Sequence, residues 1–325
     1  LDTNADKLHM VLPADDPELP WTIFLLGIWI PNMFYWGFNQ FITQRTLGAR
    51  SLAAGQRGVI FAAGLKLILP LIVVIPGIAA YVMTQDAAVM AGLGEAAMNK
   101  PPTGANPDFA YPWLLQFLPT GLKGLAFAAL AAAIVSSLAS MLNSTSTIFT
   151  MDIYKPYINP EADDRATVRM GRISATVALI VACIMAPLLG GIDQAFQFIQ
   201  EYTGVVSPGI LAVFILGLFW KKTTNRGAIT GALVSIPIAM YFKVAPKGWS
   251  DSALFMDLPF LDQMGLTTLL TMLVIALVSQ FDGKGADDAK GISLSRSTFA
   301  TEPLYNIGAF AVLTVLAVLY AFFWG

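Results

Sequence analysis

Charge is what this 325-residue chain has least of. Asp, Glu, Lys and Arg together make up 12% of it, against about 25% in a soluble domain. Cysteine occurs once, at Cys183 inside an apolar run, which excludes a disulfide framework and a cysteine metal cluster. Histidine also occurs once, at His9 in a polar segment, which excludes a histidine-rich metal site. The apolar runs hold no paired carboxylates, no HExxH and no Cys/His cluster, so a membrane enzyme is disfavoured. Residues 1–20 lack an initiator Met, a basic stretch and a cleavage site; they read as a loop rather than a signal peptide, as if the numbering begins mid-protein. What is abundant is hydrocarbon: 56% of residues are hydrophobic and the mean hydropathy is +0.66, which places the chain in a bilayer.

A membrane-crossing helix needs about 20 mostly apolar residues. Eight stretches qualify: 21–43, 57–83, 118–150, 169–190, 194–220, 226–244, 264–281 and 304–324. The third has a polar end, Asn143 to Thr150, that reads as a cytoplasmic extension. Of nineteen Lys and Arg, thirteen fall in the connections 44–58, 151–172, 221–226 and 282–297. Five (Lys7, Lys100, Lys123, Lys243, Lys247) fall on the other side and Lys66 lies within a span. The positive-inside rule makes the thirteen-charge side cytoplasmic and turns both ends of the chain outward. The stretch 84–117, with KPPTGANPDFAYPW, is too rich in Pro, Gly and polar residues to cross and is expected to lie over the outer face. FDGKGADDAKG (281–291) reads as a flexible linker. No internal repeat is visible.

Several polar groups sit where lipid should not tolerate them. Lys66 lies about nine residues into the second span, roughly 13 Å deep. A cation near mid-span costs about 2.5–3.5 kcal/mol on insertion scales, so it faces either a wet cavity or, by snorkelling, the interface. The first span carries GIWIPNMFYWGFNQ (27–40). Pro31 removes a backbone donor, so a break is expected near it, and a broken helix at membrane depth lines a cavity or is buried in protein. Asn32, Tyr35 and Trp36 then share one face, as a site or as part of an interfacial aromatic belt. The fifth span opens AFQFIQEYTGVVSPG (195–209), with Gln197, Gln200 and Glu201 in one stripe and Gly204, Pro208 and Gly209 expected to bend it. The third span holds AAAIVSSLASMLNSTST (131–147), with seven hydroxyls and one amide. Ala133, Ser136, Ser137 and Ser140 form a stripe. It serves either close helix packing with serines bonded back to the preceding turn, or a hard, uncharged oxygen site suited to Na⁺. No carboxylate lies near, which disfavours a tightly held divalent ion.

The blocks PNMFYWGFNQFITQRTLGA, GLKLILP, AALAAAIVSSLASMLNSTSTIFTMDIYK and FQFIQEYTGVVSPGILAVFILGLFWKK closely resemble the sodium:solute symporter family, within it the bacterial sodium/galactose (sodium/glucose-type) branch. The resemblance runs over essentially the whole chain. It implies an all-α, polytopic membrane bundle of the inverted-repeat transporter type, with the first five spans as the second repeat and three additional helices. The first repeat is then absent, which would account for the unseen internal repeat. By the same resemblance Asn32, Lys66 and Gln200 match positions that hydrogen-bond sugar hydroxyls. Tyr35 matches an aromatic that stacks on the sugar and gates the inner exit, with Trp36 beside it. Ala133 (through its carbonyl), Ser136 and Ser137 match the second-repeat side of a sodium site.

The expectation is therefore a single transmembrane domain over 1–325 in a bacterial cytoplasmic membrane. It would carry out Na⁺-coupled symport of a monosaccharide by alternating access, with Na⁺ as coupling ion and no nucleic-acid partner. A sodium symporter for another small solute (an amino acid, vitamin or polyol) and a transporter-like membrane sensor are the alternatives.

Overall fold

The computed structural model describes residues 8–16, 19–94, 97, 99–103, 106–189, 195–244, 258–283 and 292–324, less the side chains at 195–197. The Gln197 side chain, Lys247 and most of the 281–291 linker lie outside the described residues. The described structure is helical: α1 Trp29–Met33, α2 Gln40–Leu47, α3 Leu52–Lys66, α4 Leu69–Gln85, α5 Ala87–Leu93, α6 Ala110–Leu115, α7 Thr120–Ile148, α8 Asp164–Leu189, α9 Ala195–Phe219, α10 Asn225–Val244, α11 Phe260–Asp282 and α12 Pro303–Phe322. Among the described residues, seven helical runs are long and apolar enough to cross a membrane: Leu52–Gln85, Thr120–Ile158, Asp164–Leu189, Phe198–Phe219, Asn225–Val244, Phe260–Asp282 and Pro303–Phe322.

The stretch 21–43 contains no helix of that length. It is a 3₁₀ turn (Trp21–Phe24), α1, a π-helical turn (Phe34–Phe38) and the start of α2. The break falls at Asn39, whose extended backbone (φ −82°, ψ 116°) separates the π turn from α2. It does not fall at Pro31. Pro31 is the third residue of α1, inside the first turn, where a missing N–H forfeits no helical bond.

The chain forms two compact units, Leu1–Leu67 with Phe196–Gly325, and Ile68–Ala195. In the first, α10 lies along α11 through a stripe of small residues. Gly227, Gly231, Ser235 and Ala239 recur every fourth residue and are all buried. A Cβ on Gly227 would run into the Ser279 hydroxyl, and one on Gly231 into the Ile275 side chain. Without a hydrophobic drive between helices in lipid, such close backbone approach supplies the packing. Gly209 of α9 meets Ser235 of α10 in the same way. α9 runs uninterrupted through Pro208, and Gly204 and Gly209 lie in close contact with Met264 and Ser235 rather than at a break. Gly27 belongs to the same class: a Cβ there would meet the Leu261 backbone at 2.6 Å. This contact seats α1 on α11 around Ile23, Ile30, Leu211, Leu261 and Met264.

Charges mark the ends of these helices. Arg57 at the start of α3 pairs with Glu302, which caps α12, and the Glu302 backbone N–H donates to the Gln56 side chain at 2.9 Å. Arg226 at the start of α10 pairs with Asp282 at the end of α11 at 3.1 Å. The far end of α12 meets the entry segment, where the Met10 N–H donates to the Phe323 carbonyl at 2.7 Å.

In the second unit, α7 packs on α8. The Ser146 hydroxyl donates to the Gly171 carbonyl at 2.7 Å, and the Ser174 hydroxyl donates to the same carbonyl at 3.0 Å. Within 84–117, Trp113 is buried with Ala80 and Ala97, and its indole N–H donates to the Ala97 carbonyl at 3.0 Å. α7 passes without interruption into a ten-residue π-helical segment, Phe149–Ile158.

Candidate functional site

The irregular segment after α1 builds the first half of the candidate site. A π turn bonds residues five rather than four positions apart, which widens the coil and shifts side-chain register. Asn32 therefore stays on the α-helical part while Tyr35 and Trp36 lie on the wide turn. The Asn32 amide donates back to the Ile28 carbonyl at 2.8 Å. Tyr35 sits between Trp36 and Phe41, meeting each edge-on at 5.3 and 5.7 Å between ring centroids. Phe38, the last residue of the π turn, stacks on Phe214 of α9 at 5.0 Å and ties the segment to that helix.

Lys66 ends α3 in the same unit. Its ammonium lies 4.6 Å from the centroid of the Trp36 ring. The indole face carries the negative end of its quadrupole and holds a cation where no counter-ion is supplied. Among the described residues Lys66 has no carboxylate partner. An ammonium has three N–H donors, and a ring face engages it without consuming all of them. Lys66, Trp36, Tyr35 and Asn32 are exposed in the described structure.

Gln200 lies on α9, half-buried. Its neighbour Glu201 turns to α10, where its carboxylate meets the Lys243 ammonium at 3.2 Å, and Lys243 also lies 3.8 Å from the Tyr202 ring centroid. The expected stripe of Gln200 with Glu201 is thus divided: the carboxylate leaves it for the ion pair. Lys243, counted from the sequence among the outer-side charges, sits in the last turn of α10 with its charge compensated. The signal was present as the aromatic-cation run YFK at the helix end. Nothing in it named α9 as the partner.

The sodium candidates lie in the second unit. Ala133, Ser136 and Ser137 occupy one exposed stripe of α7. Ser140 is the member that bonds back, its hydroxyl donating to the Ser136 carbonyl at 3.1 Å. Thr145 and Thr147 bond back in the same way, to Met141 at 3.0 Å and Asn143 at 2.8 Å. Oxygen in this helix therefore divides by position. The C-terminal half spends it on helix contacts and on its own backbone, and Ser136 and Ser137 are exposed. Two hydroxyls are hard, neutral oxygens, fewer than an alkali cation coordinates, so a complete shell needs oxygens from elsewhere.

The model of the sodium:solute symporter family matches residues 2–235. The sodium/glucose cotransporter of Vibrio parahaemolyticus is 56% identical over all of this chain and 59% of its own length. The mouse sodium/myo-inositol cotransporter 2 is 36% identical, over 72% of this chain and 35% of its own. The bovine sodium/mannose cotransporter is 35% identical, over 72% and 40%. The chain thus spans about three-fifths or less of the length of these relatives. Among solved structures, a Na⁺-coupled sialic acid symporter in a substrate-bound, outward-open state superposes with a TM-score of 0.66. It covers 87% of this chain and 53% of that one at 22% identity, a likeness of fold alone. With seven apolar helices of crossing length and a family match over most of its residues, the chain is a multi-pass membrane protein and belongs to the sodium:solute symporter family.

Proposed function

We propose that this chain is part of a Na⁺-coupled symporter of a monosaccharide in a bacterial cytoplasmic membrane, working by alternating access. Its helices belong to one transmembrane domain, with 84–117 as an outer loop. The observation that carries the reading is Lys66: a cation inside an apolar helical run, held by the Trp36 ring, and given no carboxylate among the described residues. Its donors are left for an uncharged, hydroxyl-rich solute. Identity of 56% to a sodium/glucose cotransporter supports the sugar class.

In this reading Lys66, Asn32 and Gln200 hydrogen-bond sugar hydroxyls, while Tyr35 offers an aromatic face to the C–H side of the ring and closes the inner exit, flanked by Trp36. Small-solute sites combine such a few polar groups with apolar lining. The Ala133 carbonyl and the Ser136 and Ser137 hydroxyls supply part of the shell for Na⁺, the co-transported ion. Sodium binding favours the state that admits sugar, and by reciprocity each tightens the other. Release follows rocking of one helix set and movement of Tyr35.

The test is equilibrium binding of radiolabelled galactose and glucose to the full-length protein, with and without Na⁺. Lys66→Ala and Gln200→Ala are each expected to weaken binding about tenfold or more, the loss of a hydrogen bond to a charged or buried partner. Retained sugar affinity in both variants would refute the site. Binding of a proline, vitamin or inositol probe in place of sugar would move the solute to another class.

A further inference from the structure

We propose that the cytoplasmic end of α8 is a binding site for the headgroup of an anionic phospholipid. Arg165, Arg169 and Arg172 follow at i, i+4 and i+7, so they lie along one face of the helix. With Asp164 and Val168 they border a shallow, open depression on the surface of α8. All three arginines are exposed, and among the described residues none forms an ion pair. The opposite face of α8 is the one engaged inside its unit, through Gly171 against Ser146 and Thr150. The arginine face is therefore turned away from α7.

The charge distribution over the chain sets this end of α8 on the cytoplasmic side, at the depth of lipid headgroups. A guanidinium offers a planar fork of donors that matches two phosphate oxygens, and three in a row exceed what one free surface charge would do. Beyond Thr176, whose hydroxyl bonds back to the Arg172 carbonyl, the same face turns apolar: Leu179 and Ile180 are exposed about 10–12 Å past Arg172 along the helix. Phosphate-binding groups followed by a hydrocarbon track match the two halves of a phospholipid, and no soluble phosphate compound needs the second half. Juxtamembrane basic clusters of this kind select anionic lipid over zwitterionic lipid. The Asp164 carboxylate beside the arginines disfavours a second phosphate there.

The test is native mass spectrometry of the full-length protein in detergent with phosphatidylglycerol and phosphatidylcholine added in equal amounts. Bound phosphatidylglycerol should exceed phosphatidylcholine about tenfold. Arg165→Gln/Arg169→Gln/Arg172→Gln should reduce the ratio to near one, and Arg169→Gln alone, a mild change on an exposed helix face, should lower it several-fold. Lys221→Gln/Lys222→Gln in another basic connection should leave it unchanged. Millimolar inorganic phosphate should not displace the lipid. Equal retention of the two lipids by the unsubstituted protein, an unchanged ratio in both arginine variants, or displacement by inorganic phosphate would each overturn the proposal.

Discussion

Lys66 and Lys243 are both cations within apolar helices and both lie over aromatic rings, yet their surroundings assign them different work. Lys243 has the Glu201 carboxylate at 3.2 Å as well as the Tyr202 ring, so its charge is satisfied inside the protein and it holds α9 to α10. Lys66 has the Trp36 ring. The Glu201–Lys243 pair is partly exposed, at 31% and 19%, so it is worth about 1 kcal/mol at most. Glu201→Gln is expected to lower the thermal midpoint of the full-length protein by a few degrees at low salt, and less at high salt, as followed by a fluorescence melt. A loss that salt does not reduce would point to packing instead. Ser137→Ala, by contrast, should leave stability alone and raise the Na⁺ concentration for half-maximal uptake about five- to tenfold, the loss of one ligand worth roughly 1–1.4 kcal/mol. Unchanged sodium dependence would remove Ser137 from the ion's shell. The positions of such polar residues were legible in the sequence because they stand out in a hydrocarbon run. The partner of Glu201 was not legible, since 42 positions separate it from Lys243 and only the folded chain brings them together.

At the level of helices, the small-residue stripe of α10 and the π turn after α1 govern most of the geometry. Gly231→Val would push two methyl groups into Ile275. Overpacking of this sort costs about 1–3 kcal/mol, so the variant should melt well below the parent protein, or fail to reach the membrane in quantity. Gly217→Ala, on α9 with open space around it, should be neutral or slightly stabilising. Equal behaviour of the two would mean that the α10–α11 contact is not close. The apolar runs announced these helices, because a span has to be long and uncharged. The site of the break did not show itself. Proline marks a kink only where a helical bond is lost, and Pro31 stands too early in α1 to lose one. The π turn and the extended Asn39 leave no comparable mark in residue type. The Gly227–Gly231–Ser235–Ala239 spacing was readable in principle as a packing face.

Across the molecule, an ion pair between two helices, Arg57 of α3 with Glu302 at the start of α12, gives a pH signature. The Arg57 guanidinium hydrogen-bonds Glu302 and holds its carboxyl below the ordinary carboxylate range. A folded-state value below the unfolded one means that the pair contributes stability above the unfolded value and loses it as pH falls through the folded one. The difference in thermal midpoint between the parent protein and Glu302→Gln should therefore be constant at neutral pH and close on acidification. A difference that persists unchanged in acid would deny the ion pair. Family membership, helical character and the polar positions in the spans could be read from sequence. How the proposed Na⁺ and sugar sites would be coupled could not, because the chain covers 59% of its bacterial relative. The most direct test is uptake of radiolabelled galactose and glucose by the full-length protein in proteoliposomes. An inward Na⁺ gradient should drive at least one of the two sugars above its external concentration, and accumulation should vanish when K⁺ replaces Na⁺ or Ala replaces Lys66. Sugar that merely equilibrates at the same rate with or without Na⁺ would contradict coupled symport.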